Sequence, residues 1–261
     1  MKKLTEFLLP DCAHKKPLVI VCPGGAYAHH SPREAEPVAK KFNSLGFHSA
    51  VLRYAIYPHV FPEGLLDLFR TIKHYRKNAS KLGIDENKII VCGFSAGGHL
   101  CGSAGVFWNK SEYCEKLKCR PEDIRPDALC LCYSVISSGK YANRLSFIKL
   151  IGSEKDGQTE ENYTASLYSH LSLEKFVTKD CPPAFLWHTN EDAYVPPENS
   201  LLFAAALKKH KIPCELHLYA KGDHGIALAT EETSRENNVD VIPECQNWPD
   251  LFKNFFDAIF A

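Results

Sequence analysis

Residues 91–100 read Val-Cys-Gly-Phe-Ser-Ala-Gly-Gly-His-Leu and contain the pattern Gly-x-Ser-x-Gly centred on Ser95. An apolar, strand-like run at 89–91 precedes this pattern, and a helix-like segment follows it. In that context the serine lies on a sharp turn between a strand and a helix, which exposes its hydroxyl above the sheet. Gly93 and Gly97 fit this interpretation, because a Cβ at either position would collide with the backbone of so tight a bend. The stretch therefore predicts that Ser95 is a nucleophile.

The rest of the chain alternates between apolar runs and helical patterns, which is typical of βαβ units and a mainly parallel sheet. Strands are predicted at 18–22, 49–52, 88–91, 128–133, 184–188 and 215–219, and helices at 37–45, 65–82, 200–209 and 248–260, with a further helix after Ser95. The segment at about 137–181 has no clear strand and contains several glycines, so we expect an irregular, cap-like insertion there. Because neither a repeat nor a linker is found, the sequence predicts a single α/β domain over 1–261.

The composition excludes several classes of partner. The 261-residue chain carries 31 basic and 31 acidic side chains, so its charge gives no indication of a nucleic acid or an anionic membrane as partner. No apolar run approaches membrane-spanning length. The apolar part of residues 1–10 is interrupted by Thr5 and Glu6 and stopped by Pro10, which does not fit a signal peptide. We therefore expect a cytoplasmic protein.

The chain contains 11 cysteines, an odd number, and none of them form a Cys-x-x-Cys pair. Several lie inside apolar runs, where free thiols behave as small buried hydrophobic groups. Neither Cys130-Leu131-Cys132 nor the spacing from Cys114 to Cys119 matches a zinc template. We expect reduced thiols and no structural metal.

A nucleophilic serine needs a base, and the base needs a carboxylate that orients it. In enzymes that hold the serine on such a turn, the acid and then the histidine follow along the chain, each on a loop after a later strand. His224 lies in a glycine-flanked loop after the last predicted strand, at the end of the sheet where ligands bind, and is the expected base. Its main rivals, His29 and His30, precede Ser95 and do not fit this order. Other histidines fall within predicted strands or helices: His99, His188 and His217.

The expected acid is Asp192, which follows the strand predicted at 184–188. Glu191 and Asp223 are the competing carboxylates. Asp223 is disfavoured because it adjoins His224, and neighbouring side chains rarely point at one another well enough for the required hydrogen bond. Asp192 is preferred to Glu191 on motif grounds.

A small-residue loop follows the first predicted strand and reads Pro-Gly-Gly-Ala-Tyr at 23–27. Small residues allow the backbone to approach a ligand and to present amides to a tetrahedral oxyanion. The expected donors are the amides of Gly25 or Ala26, completed by that of Ala96, the residue after the nucleophile. In isolation, the same tripeptide Pro-Gly-Gly indicates only a tight turn.

Glu34 has two possible roles. Ser-Pro-Arg-Glu at 31–34 matches a capping box with proline at the first helical position. Pro37 favours a later start of the helix. Capping and substrate contact both stay open for Glu34.

Together these segments resemble the bacterial acetylxylan-esterase-like branch of the α/β-hydrolase superfamily, relatives of the hormone-sensitive-lipase-like carboxylesterases. The resemblance runs from about residue 17 onward, and the matching segments are Pro-Gly-Gly-Ala-Tyr at 23–27, Arg-Glu-Ala-Glu-Pro at 33–37, Leu-Arg-Tyr at 52–54, Gly-Phe-Ser-Ala-Gly-Gly-His-Leu at 93–100, Trp-His-Thr at 187–189, Asp192, Val-Pro at 195–196 and His-Gly at 224–225. It implies the α/β-hydrolase fold, a mostly parallel central sheet flanked by helices. It also implies Ser95 as nucleophile, Asp192 as acid and His224 as base, with no cofactor.

The chain departs from the wider lipase family in its oxyanion loop. Pro23 stands where the His-Gly-Gly-Gly motif has its histidine, and Ala26 stands at the third glycine. An alanine still supplies its amide, but its methyl group narrows the pocket. Tyr27 places an aromatic ring beside the same loop and is a candidate substrate contact.

The expected activity is the removal of a short acyl group, above all acetyl, from a sugar or oligosaccharide. A general short-chain carboxylesterase and an arylformamidase would use the same three residues. A ligand-binding homologue without activity is less consistent with the sequence, because all three are present. The expected partner is therefore a small-molecule acyl ester, and a homo-oligomer stays possible.

Overall fold

The computed structural model describes residues 3–10 and 14–261. Its strands are β1 (Leu4–Phe7), β2 (Lys16–Cys22), β3 (His48–Leu52), β4 (Ile84–Phe94), β5 (Ala128–Cys132), β6 (Ala184–Thr189) and β7 (Cys214–Tyr219). They form one seven-stranded sheet in the order β1-β3-β2-β4-β5-β6-β7. β1 pairs antiparallel with β3, and every other neighbouring pair is parallel. The predicted parallel α/β sheet is confirmed.

The helices cover both faces of this sheet. They are α1 (Glu36–Ser44), α2 (Glu63–Leu82), α3 (Ala96–Phe107), α4 (Ser111–Leu117), α5 (Pro121–Ile124), α6 (Arg144–Ile151), α7 (Glu198–Lys209) and α8 (Trp248–Ile259). Every strand and helix predicted above is found. Four elements were not predicted from the sequence: β1, a four-residue edge strand, and the helices α4, α5 and α6. No helix among the described residues is long and apolar enough to cross a membrane.

Strand β4 divides the interior into two apolar layers, because alternate side chains of a strand point to opposite faces. Ile89 and Val91 pack with buried residues of α2 and α3. Ile90 and Phe94 pack on the other face with residues of α1 and α8. The strand is central, bonded to β2 on one side and β5 on the other, so it holds the residue that follows it in a fixed place.

The segment 137–181 contains no strand, as predicted. It holds α6 and three short 3-10 helices, Ser153–Asp156, Ala165–Leu171 and Leu173–Lys175. Tyr168 and Leu173 of this segment are buried in the same apolar layer as α2 and α3. The insertion is therefore packed against the sheet domain, and the start of α6 lies beside the carboxyl ends of the strands. That the chain forms one domain over its whole length stays a prediction.

Candidate active site

Ser95 occupies the turn between β4 and α3, and its backbone is held in an unusual conformation. Its φ of 52° and ψ of −117° lie where residues with a side chain are rare, a form of strain that is concentrated at functional sites. A Cβ at Gly93 would collide with the carbonyl of Gly97, and one at Gly97 with the carbonyl of Cys22. Hydrogen bonds fix the turn further, with the Ser95 N–H donating to Cys132 and its carbonyl accepting from Val135. The predicted strand–turn–helix geometry is confirmed.

The loops after β6 and β7 bring two polar side chains to Ser95. The Ser95 hydroxyl lies 2.8 Å from Nε2 of His224, and Nδ1 of His224 lies 2.6 Å from Oδ2 of Asp192. With His224 neutral, its Nδ1–H donates to the carboxylate, and its Nε2 accepts the hydroxyl proton. The three residues thus form one continuous hydrogen-bonded chain that ends on the serine oxygen.

The side chain of Asp192 is buried, with 3% of the residue exposed, and several hydrogen-bond donors surround its carboxylate. Its Oδ1 accepts from the backbone N–H groups of Tyr194 at 3.0 Å and Val195 at 2.8 Å. Burial alone would raise the pKa of Asp192, but hydrogen bonds from His188 and His224 lower it to about 2. The carboxylate is therefore ionised at any pH at which the enzyme would work.

The other carboxylates considered in the sequence have different partners. Glu191 accepts from the backbone N–H of Gly222 at 3.0 Å. Asp223 forms an ion pair with Arg235 at 2.9 Å. Only Asp192 of the three lies within hydrogen-bonding distance of the His224 ring.

His188 is a second histidine on the Asp192 carboxylate, a feature that the sequence analysis did not identify. Its Nε2 lies 3.2 Å from Oδ2 of Asp192 and 2.8 Å from the carbonyl of Val195, to which it donates. Its Nδ1 accepts from the hydroxyl of Ser200 at 2.8 Å. The ring is fully buried. His188 therefore holds the turn that carries Asp192, and its position four residues before that aspartate was the signal available in the sequence.

The loop after β2 passes directly beside Ser95. A Cβ at Gly24 would lie 2.9 Å from Cβ of Ser95, so only glycine allows this approach. Gly25 and Ala26 both have positive φ, 125° and 53°. Within the part of the chain that the structure describes, the N–H groups of Gly25, Ala26 and Ala96 have no hydrogen-bond acceptor. Free amides in this position are what an oxyanion hole requires.

Glu34 supports that loop from below. It is 3% exposed, and its Oε2 accepts from the N–H of Gly24 at 2.8 Å, while its Oε1 accepts from the hydroxyl of Tyr133 at 2.8 Å. The Tyr133 oxygen in turn accepts from the N–H of Ala227 in the loop that follows His224. The capping-box interpretation of Glu34 is wrong, because Ser31 makes no capping hydrogen bond with its side chain and α1 begins only at Glu36.

Tyr27 does not lie where the sequence analysis expected it. Its side chain is 2% exposed, and its hydroxyl lies 2.9 Å from Nδ1 of His99. Burial lowers the pKa of His99 to about 4, so this ring is neutral and donates from Nε2 to the carbonyl of Leu171 at 2.9 Å. Because the Tyr27 ring is turned into the core beneath the loop, it is not available to a substrate.

A cavity of about 250 Å³ opens at the Ser95 hydroxyl. Its walls come from the loop after β2, the start of the insertion and the loops after β6 and β7, and its lining residues are Gly25, Ala26, His29, Ser31, Arg33, Glu34, Ser95, Asn143, Leu145, Tyr194, His224 and Gly225. Most of these side chains are polar, and only Ala26 and Leu145 are aliphatic. The lining thus combines carbon surface with several polar groups, which suits a small ligand that has both apolar and polar parts.

The core also brings three cysteines together, which the spacing in the sequence did not indicate. The Sγ atoms of Cys92, Cys130 and Cys132 lie within 4.8 Å of one another, because β4 and β5 are neighbours in the sheet. All three are free thiols in the apolar layer beneath α8. Burial raises the pKa of Cys92 and of Cys132. Burial alone would also raise the pKa of Cys130, but hydrogen bonds with the other two thiols lower it to about 6. The absence of a structural metal stays a prediction.

A mostly parallel sheet with a serine elbow, and a histidine and a buried aspartate on later loops, defines an α/β hydrolase. The chain matches the BD-FAE family over residues 6–207 and belongs to that family.

Named relatives agree with this assignment. The chain is 38% identical over 229 residues to endo-1,4-beta-xylanase B of Butyrivibrio fibrisolvens, covering 84% of this chain and 34% of that protein. It is 29% identical to the acetylxylan esterase of Xylanibacter ruminicola, covering 81% of this chain and 41% of that protein. The chain thus spans well under half the length of these two relatives. A crystal structure of an acetyl ester-xyloside bifunctional hydrolase from Caldicellulosiruptor lactoaceticus is 38% identical, with a TM-score of 0.81, and covers 98% of this chain and 87% of that one.

Proposed function

We propose that this protein is a serine esterase that removes short acyl groups, principally acetyl, from sugars or oligosaccharides. The observation that carries the proposal is the continuous hydrogen-bonded chain from Asp192 through His224 to Ser95, whose hydroxyl lies at the cavity of about 250 Å³. Those three side chains are the nucleophile, base and acid of the proposed reaction.

In the first half-reaction, the Ser95 oxygen attacks the carbonyl carbon of the ester while its proton passes to Nε2 of His224. The carbonyl becomes a tetrahedral oxyanion, which accepts hydrogen bonds from the amides of Ala96 and of Gly25 or Ala26. When this intermediate collapses, the bond to the alcohol breaks and His224 returns its proton to the leaving oxygen. The product is an acyl group on Ser95 and a free alcohol.

In the second half-reaction, a water molecule loses a proton to His224 and attacks the acyl carbon. The same amides stabilise the second oxyanion, and the Ser95 oxygen leaves with the proton from His224. Asp192 keeps its charge throughout, since it stabilises the imidazolium and is not itself protonated. Neither half-reaction uses a metal or an organic cofactor, so we expect EDTA to leave the rate unchanged.

The acyl group and the alcohol are inferred from the cavity and from the relatives. Ala26 places a methyl group in the loop beside Ser95, and Ala26 and Leu145 are the two aliphatic side chains in the cavity lining. Relatives named as an acetylxylan esterase and an acetyl ester-xyloside hydrolase support an acetylated sugar as substrate. A cytoplasmic location and a homo-oligomer stay predictions.

The test is a series of aryl esters that differ only in acyl length, together with acetylated sugars and N-formylkynurenine. Each methylene that a pocket buries contributes about 0.8 kcal/mol, so an open groove would favour butyryl and hexanoyl esters. A closed pocket reverses this order, because an oversized chain displaces the carbonyl from the amides. We expect kcat/KM to fall from acetyl to butyryl and further to octanoyl. A maximum at hexanoyl would favour a general carboxylesterase, and a preference for N-formylkynurenine an arylformamidase.

A further inference from the structure

Tyr194 is an exposed aromatic side chain at the mouth of the catalytic cavity. It is 68% exposed, the highest value among the large apolar side chains of the described residues, and it lines the cavity together with Ser95 and His224. Its ring centroid lies 6.1 Å from that of His224, and the two planes are tilted by 34°. Its place in the lining of the Ser95 cavity puts this aromatic face within reach of a ligand bound there.

The backbone of Tyr194 is fixed although its ring is exposed. Its N–H donates to Oδ1 of Asp192, and its carbonyl accepts from the side-chain amide of Asn143, each at 3.0 Å. Asn143 is itself held, since its Oδ1 accepts from the N–H of Ser146 and caps α6. The ring is therefore presented from a rigid turn that joins the buried carboxylate to the insertion, and binding against it would cost little ordering of the chain.

The groups around the ring point to a sugar. One face of a pyranose ring is covered with C–H bonds of partial positive charge, which pack against the negative face of an aromatic ring. Its hydroxyl groups need hydrogen-bonding partners, and the cavity wall supplies the side chains of His29, Ser31 and Asn143. An alkyl chain could pack on the aromatic ring but would form no hydrogen bond with His29 or Ser31, so these side chains favour a sugar.

We propose that Tyr194 is the platform on which the pyranose ring of an acetylated sugar stacks while its acetyl group enters the cavity at Ser95. This proposal rests on the esterase function proposed above and names the residue that selects the alcohol part of the substrate. Tyr194 acts on binding of the sugar and takes no part in the proton transfers.

The kinetic test compares two acetate esters that differ only in the alcohol, a mono-acetylated methyl xylopyranoside and ethyl acetate. For Tyr194→Ala, we expect the ratio of kcat/KM for the sugar ester to that for ethyl acetate to fall by about three- to tenfold, the scale of one aromatic contact. The loss should lie in KM, and Tyr194→Phe should retain the ratio because it keeps the ring. The matched control is Leu167→Ala, which removes a side chain that is 48% exposed and does not line the cavity.

Two kinetic outcomes would overturn the proposal. An unchanged ratio in Tyr194→Ala would mean that the ring does not contact the sugar. An equal loss on both esters, in kcat, would mean that the ring positions His224 instead.

A binding measurement separates this proposal from the esterase function. Saturation-transfer NMR with unesterified methyl xylopyranoside should reveal transfer to the C–H protons of one sugar face in Ser95→Ala, and the signal should be lost in Ser95→Ala combined with Tyr194→Ala. Equal signals in the two proteins would contradict the platform even if the esterase is active. Conversely, if the native protein hydrolyses neither acetate ester, the proposed esterase function is refuted. The NMR measurement then decides by itself whether Tyr194 contacts the sugar.

Discussion

Two buried carboxylates flank Ser95, and they differ in what they hold. Asp192 and Glu34 are each 3% exposed. Asp192 accepts from the rings of His224 and His188 and from two backbone amides. Glu34 accepts from the amide of Gly24 and from the hydroxyl of Tyr133. The first carboxylate is bound to the proposed base, and the second is bound to the loop that is proposed to stabilise the oxyanion.

This difference assigns a separate kinetic signature to each carboxylate. A change at Asp192 alters the charge beside the proposed base and the tautomer of its ring, so it should affect both the rate and its pH dependence. A change at Glu34 moves the amides of the loop after β2 without touching the proposed base, so it should lower the rate alone. Substitution of one at a time therefore tests whether buried carboxylates beside the same serine have distinct functions.

The largest effect is expected at Asp192. Asp192→Asn should lower kcat by about 10⁴, as in the serine-protease example, because the amide favours the wrong tautomer of the base histidine. Steady-state kinetics on an aryl acetate measures this loss, and circular dichroism checks that the variant is folded. Glu191→Gln is the matched control and should stay close to the native rate. If the control is crippled and Asp192→Asn is nearly normal, the acid has been assigned to the wrong residue.

A smaller effect is expected at Glu34. Glu34→Gln should lower kcat by a factor of about 10 to 100, which is no more than the loss expected when one oxyanion donor is removed. The reason is that the neutral amide binds the Gly24 N–H more weakly than the carboxylate does and lets the loop shift. The pH profile should keep its shape. Tyr133→Phe is the companion variant, since it removes the bonds of the Tyr133 hydroxyl to Oε1 and to the N–H of Ala227 and leaves the bond between Glu34 and Gly24 intact. Its loss should be smaller, and a displaced pH profile in Glu34→Gln would contradict the separation of roles.

The contrast between these carboxylates also explains what the sequence could reveal. The sequence predicts the turn at Ser95 because that turn depends on a local pattern, in which Gly93 and Gly97 must lack a Cβ. The order of Asp192 and His224 after later strands predicts that they lie near Ser95, because the carboxyl ends of parallel strands meet at one edge of the sheet, and the structure places them there. Glu34 has no such order, because its contacts depend on how the loop after β2 folds back under Gly24.

The direction in which a side chain points could not be predicted from the sequence. Tyr27 is adjacent to the proposed oxyanion loop in sequence, but its ring points into the core toward His99. The sequence predicts only that His188 lies within a strand. The turn that follows Thr189 brings Asp192 back against the His188 ring. Tyr194 gave no signal, because exposure at the mouth of a cavity depends on where the insertion packs.

The smallest expected effect concerns stability. The pKa of Asp192 is lowered to about 2, below the value near 3.9 of an unfolded chain. A carboxyl group with a depressed pKa contributes stability above the unfolded value, and that contribution is lost as the pH falls toward the folded value. Asp192 should therefore contribute about 2 kcal/mol at pH 6, with about half of it lost by pH 3.

Urea unfolding at pH 6 and pH 3 measures this contribution as the difference between the native protein and Asp192→Asn. We expect the stability advantage of the native protein to shrink at pH 3. If the advantage is the same at both values, the pKa of the carboxyl group is not depressed in the folded protein.

The most direct measurement is the covalent capture of the nucleophile. Reaction with a fluorophosphonate, followed by mass spectrometry of the digested protein, should give one adduct, located on Ser95, with complete loss of esterase activity. Ser95→Ala should remain folded, fail to react and fail to hydrolyse an aryl acetate. An adduct on another residue, or retained hydrolysis by Ser95→Ala, would contradict the proposed acyl-enzyme mechanism.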